Sequence, residues 1–331
     1  MDKIATANAK EREALFRNTA VKLGISEAVI EKDFWVCYVL NYLFHQCKYK
    51  EHFIFKGGTS LSKAYHLIQR FSEDIDLVFD WRLIGYEDSE LWEERSNTKQ
   101  DIFNKEVNAR VGAFLEKEVL TILQSELSEA LGEVANLSIA EDDPGTIIFA
   151  YPRIFADESI LRAIRLEIGA LAAWSPSENH VITAYVAEQY PQSFANPDVL
   201  IPTVSAERTF WEKATILHRE ACRVNGTMPS RYSRHYYDLY CMGNSPIKET
   251  AYQEVDLLEK VVLFKEKFYR CNWARYEEAR SGQLKLIPPK QYWRDLEEDY
   301  QHMKNMIFGE FPTFAEMMST MQKMETEMQS L

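Results

Sequence analysis

At 331 residues the chain is longer than one typical domain, and its length suggests about two. Hydrophobic residues make up 46% and aromatics 13%, which excludes a globally disordered chain. With 38 Lys/Arg against 51 Asp/Glu the formal charge is −13, which argues against a DNA-coating protein while leaving room for a small basic patch.

Met1 to Arg12 has neither a basic-then-apolar order nor a small-residue cleavage site, so no secretory signal is expected. A helical stretch is predicted over 11–44, broken at Gly24-Ile25-Ser26, with Ser26 as N-cap and Glu27 in the first turn. Its apolar run, Phe34 to Phe44, is too short for a bilayer, which takes about 20 residues. His52-Phe53-Ile54-Phe55 reads as a buried strand. After the glycines that follow, Leu61, Ala64, Tyr65 and Ile68 have the i, i+3, i+4, i+7 spacing of an amphipathic helix. Ile75 to Phe79 reads as a second strand.

Residues 83–98 are acidic and irregular, and 99–131 are predicted helical. Asp142-Asp143-Pro144-Gly145 is a turn before strand-like Thr146–Tyr151 and Leu161–Ile168, with further β-rich stretches at Val181–Val186 and Val199–Val204. From Ser205 the pattern becomes helical, over 206–222, 233–241, 249–270 and 290–307. The expected organisation is an α+β part over 1–204, a small mixed sheet flanked by helices, followed by a mainly helical part over 205–331. Cys37, Cys47, Cys222, Cys241 and Cys271 are scattered without CxxC spacing, which reads as reduced thiols in a cytoplasmic protein with no structural zinc.

The informative segment is Phe55-Lys56-Gly57-Gly58-Thr59-Ser60, followed by Ser72-Glu73-Asp74-Ile75-Asp76-Leu77. With 12 glycines in 331 residues the chain is glycine-poor, so two adjacent glycines between a strand and a helix suggest a backbone requirement. The free N–H groups at the start of that helix favour an anion such as phosphate. An ordinary tight turn capped by Thr59 or Ser60 is the competing reading, and neither a Walker pattern nor a dinucleotide fingerprint is present.

Asp74 and Asp76 shift that balance. Alternation along a strand sends both carboxylates to one face while Ile75, Leu77 and Phe79 pack behind. Two like charges there repel and lose hydration unless a cation sits between them, and oxygen-only ligands suit Mg²⁺ or Mn²⁺. An exposed edge strand with solvated aspartates is the alternative. The pattern fits two-metal nucleotidyl transfer, which usually wants a third carboxylate. Glu167, in Arg165-Leu166-Glu167-Ile168, is the candidate, with a salt bridge to Arg165 as its other reading; Asp157 and Glu158 are weaker candidates.

The string KGGTSLSKAYHLIQRFSEDIDLVF resembles the signature of the AbiEii/AbiGii toxin family of nucleotidyltransferases, whose catalytic half has a polymerase-beta-like core. Glu31-Lys32-Asp33-Phe34-Trp35, Glu207 to Lys213 and Arg234 to Leu239 are also similar, so the likeness runs from about residue 25 to 245. It implies that Gly57, Gly58, Thr59 and Ser60 cradle nucleotide phosphates, that Asp74 and Asp76 bind metal, and that Ser72 just ahead of them matters for activity. It further implies a triphosphate contact for Lys213 and an active-site role for Asp238, with Arg70 and Lys63 adding positive charge near the nucleotide.

The implied activity is transfer of an NMP from an NTP to a hydroxyl with release of pyrophosphate, by the toxin of a toxin–antitoxin or phage-defence system. A tRNA 3′ end is the preferred acceptor, a protein hydroxyl the second, and a cognate antitoxin the expected partner; no membrane or DNA partner is expected. A non-catalytic nucleotide- or RNA-binding protein and a metal-dependent phosphodiesterase are the competing functions.

In the helical half, Phe210, Ala214, Leu217 and Ala221 make a buried stripe, with Lys213 off its centre. Arg234 and Asp238 are spaced i, i+4, which also fits a plain intrahelical ion pair. Residues 205–240 hold six Lys/Arg against four Asp/Glu, and Arg219, Arg223 and Arg231 with Tyr232 and Tyr236 could hold a nucleic-acid backbone or form a solvated face. Phe314, Met317, Met318, Met321, Met324 and Met328 predict a methionine-faced helix, packed on the helical half or on a partner.

Overall fold

The computed structural model describes residues 1–72, 74–157, 160–171, 175–280 and 282–331. The chain divides into two compact units, one of Met1–Ala64 with Ser72–Thr203 and the other of Tyr65–Phe71 with Val204–Leu331.

The first unit is built on a mixed sheet. Its strands are β1 (Phe53–Lys56), β2 (Asp74–Phe79), β3 (Asn136–Ile139), β4 (Thr146–Ala150), β5 (Ile164–Gly169), β6 (Ser177–Thr183) and β7 (Asp198–Val204), in the order β3-β4-β5-β2-β1-β7-β6. The central β2 runs antiparallel to β1 and parallel to β5. Its helices are α1 (Asp2–Ala5), α2 (Ala9–Leu23), α3 (Glu27–His45), α4 (Gly57–Lys63), α5 (Asp88–Trp92), α6 (Asn97–Phe114), α7 (Leu120–Leu131) and α8 (Tyr185–Gln189).

Local chemistry explains several boundaries. Gly24 ends α2 in the left-handed region (φ +66°), and the Ser26 hydroxyl caps α3 by accepting the Val29 N–H at 3.4 Å. Buried on nearly every side, α3 packs Phe34, Trp35, Tyr38 and Leu40 into the core. A π-helical turn at Leu115–Val119 separates α6 from α7, where the sequence reads as one helix.

The second unit is helical: α9 (Ala206–Ala221), α10 (Ser233–Gly243), α11 (Ile247–Gln253), α12 (Val255–Phe268), α13 (Trp293–His302) and α14 (Phe314–Met328). Ser205 caps α9 by accepting the Arg208 N–H, and a Thr313/Glu316 capping box opens α14. Met317, Met318, Met321, Met324 and Met328 are all buried, and α14 packs against α10, so the methionine face is used inside the chain.

The expected architecture, a mixed sheet flanked by helices before a helical half, is the one observed; the sheet is larger than expected, with seven strands among the described residues. Three local readings are corrected. The helix expected through Ile68 ends at Lys63, because Tyr65, Ile68 and Phe71 are taken into the second unit. There the Tyr65 hydroxyl donates to the Val204 carbonyl at 2.9 Å, and Arg70 pairs with Ile307 in an antiparallel bridge. Strand β3 had too weak an alternation to be read, and it is held by pairing with β4. The helix expected over 290–307 is shortened to α13.

Candidate active site

The glycine turn and the paired aspartates meet in the first unit. Gly57 adopts φ +82°, and a Cβ built on it would lie 1.9 Å from Asp76 Oδ2. Only glycine lets the backbone approach the carboxylate this closely. The Thr59 hydroxyl donates to the Asp74 main-chain carbonyl, tying α4 to β2, and the Ser60 hydroxyl donates back to the Gly57 carbonyl at 2.9 Å. Both hydroxyls are buried and engaged within the turn, so an anion there would meet main-chain N–H groups.

Asp74 and Asp76 share one face of β2, as alternation requires, while Ile75 and Leu77 are buried behind. Register places Glu167 of β5 opposite Asp76 on one side and Lys56 of β1 opposite it on the other; Arg165 lies opposite Asp74. Lys56 carried no assigned role in the sequence reading, because its place opposite Asp76 is set by β1–β2 pairing across α4 and the loop after it, which spacing does not give. Asp74 Oδ1 is buried without a hydrogen-bond partner. A buried, unpaired carboxylate oxygen is costly, and a bound cation would satisfy it.

Among the described residues no group of three or more His, Cys, Asp or Glu side chains is assembled to hold a metal ion. Glu167 lies 3.6 Å from the Arg165 guanidinium, which also reaches Asp142 at 3.3 Å, so the contact of its alternative reading, a salt bridge to Arg165, is present. The donor set therefore fits a hard cation held by Asp74 and Asp76 together with substrate phosphates, a common arrangement for Mg²⁺, rather than a three-acid cage. Asp157 is half-buried in a loop, Ser72 is half-buried ahead of β2, and Glu158 lies outside the described residues.

The second unit contains a separate cluster. The Arg70 Nε and Nη2 donate to Asp238 at 2.6 and 2.9 Å, and Lys213 Nζ donates to Asp238 Oδ2 at 2.8 Å. All three residues are buried. Burial alone would raise the Asp238 pKa, but Arg70 and Lys213 hold the carboxyl well below the ordinary aspartate range. Burial, with Arg70 and Arg234 nearby, lowers Lys213. His235, whose Nδ1 is 3.3 Å from Lys213 Nζ, is pushed well below the ordinary histidine value by burial and by Lys213. A neutral His235 accepts from the lysine, so its proton sits on Nε2. The charged partners of Asp238 thus come from outside its own helix, in place of the expected pairing with Arg234. Arg70 is a ligand of Asp238, and a cavity of about 700 Å³ is lined by neighbours of this pair, including Gln69, Tyr237, Tyr240 and Glu316.

Two expectations change. Lys63 is buried and lies 2.8 Å from Asp33, so its charge is matched inside the first unit. The suggested nucleic-acid face is largely self-satisfied: Arg223 and Arg219 contact buried Glu220 at 2.6 and 3.5 Å, both lie over the Trp273 ring, and Tyr236 is buried.

The profile of the AbiEii nucleotidyl transferase toxin, type IV toxin–antitoxin system, matches residues 40–320. The chain belongs to the AbiEii family. It is accordingly a nucleotidyltransferase toxin, with an NTP as substrate and an antitoxin as partner. Among solved structures it is similar to MenT4, a nucleotidyltransferase toxin from Mycobacterium tuberculosis H37Rv, at 15% identity and a TM-score of 0.49, over 96% of this chain and 98% of that one. No curated protein matches the sequence. No helix among the described residues is long and apolar enough to cross a membrane.

The contact at Gly57 gives a direct test of this AbiEii-family site. Gly57→Ala should cut transfer activity by about tenfold or more and destabilise the protein by roughly 1–3 kcal/mol, through left-handed strain and the clash with Asp76. Gly24→Ala is the control, because it carries similar strain (φ +66°) with nothing within 4 Å of the added Cβ. It should lose stability and keep activity; the two variants are compared by thermal unfolding and NTP turnover.

Proposed function

We propose that the chain transfers an NMP from an NTP to a tRNA 3′ hydroxyl, with Mg²⁺ or Mn²⁺ held by Asp74 and Asp76, as a cytoplasmic toxin of a toxin–antitoxin or phage-defence system. The observation that carries this reading is the pair of same-face carboxylates, one with a buried, unpartnered oxygen, against a glycine turn that no side chain can enter. When bound, the cation would lower the pKa of the attacking hydroxyl and offset charge on the triphosphate.

The chain's own groups supply binding and orientation. Main-chain N–H groups of Gly57, Gly58, Thr59 and Ser60 donate to the phosphate oxygens, and Lys56 flanks the acids as a point charge. In the second unit Lys213 is oriented by Asp238 and His235, and Arg70 keeps Asp238 ionised; the triphosphate contact of Lys213 is what the family resemblance implies. Ser72 leads into the acids at the entrance of β2. A tRNA acceptor is supported by the local basic excess over 205–240, although Arg219 and Arg223 are already paired.

The test incubates the full chain with each α-labelled NTP, Mg²⁺ and total tRNA. Label is expected at the tRNA 3′ end with one NTP preferred. Label appearing on protein instead would move the acceptor to a protein hydroxyl, and shortened RNA without NTP consumption would favour the phosphodiesterase.

A further inference from the structure

Glu31, Lys32 and Asp33 are consecutive, charged and buried in the middle of an otherwise apolar helix. Each is matched to a distant part of the first unit. The Glu31 carboxylate accepts the main-chain N–H groups of Ile154 and Phe155 at 2.7 and 3.0 Å, and Lys32 donates to the Leu161 carbonyl at 3.0 Å. Asp33 Oδ2 accepts the Tyr185 N–H at 2.7 Å, and its Oδ1 lies 2.8 Å from Lys63 Nζ. The Lys63 ammonium also stands 3.8 Å from the centroid of the Tyr185 ring. Burial works against the charge on Lys63, but Asp33 outweighs it and raises the lysine above its ordinary value.

Lys63 is the last residue of α4, a helix of seven residues. At the other end of that helix Thr59 binds the Asp74 carbonyl, and Gly57 is in tight contact with Asp76. A helix this short has little intrinsic stability, so its position is set by what holds its two ends. One end is the glycine turn itself. The other is the buried ion pair.

We propose that Asp33 and Lys63 are positioning residues, the pair fixing α4 and with it the Gly57–Ser60 turn against Asp74 and Asp76. Lys63 acts through the helix it ends and does not bind phosphate. The kinetic consequence rests on the nucleotidyltransferase reading; the structural one does not.

Asp33→Asn and Lys63→Met in the full chain separate the two roles for Lys63. Hydrogen exchange at the amides of 61–64, which bond back to the Gly57–Ser60 carbonyls, should quicken about tenfold in both variants, with α9 and α10 unchanged. The KM for the NTP should rise by a similar factor in both, about 10-fold, because a small displacement of a binding turn is expensive, while kcat falls less. A lysine that binds phosphate gives a different result: Lys63→Met raises KM and Asp33→Asn leaves it near wild type. That outcome, or unchanged exchange at 61–64, overturns the proposal.

Each single change strands a buried charge, so Asp33→Asn/Lys63→Met is the companion that restores folding. It should recover thermal stability while exchange and KM remain raised; recovery of all three would reduce the pair to a folding contact and also overturn the proposal. A wild-type chain that turns over no NTP removes the enzymatic reading, and exchange at 61–64 still decides the positioning role.

Discussion

Asp76→Asn should abolish most NMP transfer, by about 10²–10³-fold or more in kcat, while leaving the protein as stable as the wild type. Asparagine keeps the size of the side chain that packs against Gly57, so the turn is preserved. What disappears is one of two same-face negative charges, the feature on which the proposed cation and triphosphate binding depends. Removing it relieves repulsion with Asp74 on the same strand and with Glu167 opposite but also gives up attraction to Lys56 on the other side, so the melting temperature should change little. Glu167→Gln should cost less than about tenfold, since that carboxylate is engaged with Arg165 and belongs to no three-acid cage among the described residues. Transfer assays at saturating NTP, paired with thermal unfolding, check both. Persistent transfer in Asp76→Asn would remove the metal assignment, and equal losses in the two variants would bring Glu167 into the chemistry.

The part of the site that alternation controls was legible in the sequence. A strand has a period of two, so Asp74 and Asp76 had to share a face whatever surrounded them, and the Gly-Gly pair in a glycine-poor chain marked a close backbone approach. The helix cap at Ser26 follows from chemistry within three residues. Long-range pairing was not legible. The i, i+4 spacing pointed to Arg234 as the partner of Asp238, whereas the guanidinium that binds it belongs to Arg70, 168 residues away. Lys63 reads as added positive charge near the nucleotide until Asp33, an acid hidden in an apolar helix, is seen to meet it. The stripe Leu61, Ala64, Tyr65, Ile68 has helical spacing, yet two units compete for its residues. Tyr65 to Phe71 leave α4 because their apolar side chains and backbone groups find partners in the second unit, including residues 306–308. Periodicity says which residues want burial, and only the tertiary structure says where.

Asp238→Asn should destabilise the second unit by about 3–5 kcal/mol, a large share of the stability of an ordinary domain. Arg70 and Lys213 are both buried, and the substitution leaves two cations without a neutralising charge. Asp238→Asn/Arg70→Met should regain part of the loss, because it removes one stranded charge; failure to regain any would mean that Asp238 acts through packing and not through charge. The same cluster gives the wild-type protein a defined response to acid. Asp238 has a folded-state pKa below its unfolded value, so it contributes stability above the ordinary aspartate pKa of about 4, lost as pH falls further. Buried His235 is also depressed, and for a group of that kind the unfolded chain takes up its proton first. Its contribution is complete above about pH 6.5 and declines below it. Urea midpoints should therefore fall in two stages, a shallow one starting near pH 6.5 and a steep one below about pH 4. His235→Gln should make the first stage shallower, with His218, whose pKa burial also lowers, carrying the rest, and Asp238→Asn should flatten the second. A wild-type midpoint constant from pH 6.5 to 4.5, or an Asp238→Asn curve parallel to wild type below pH 4, would show that these two groups do not couple protonation to folding.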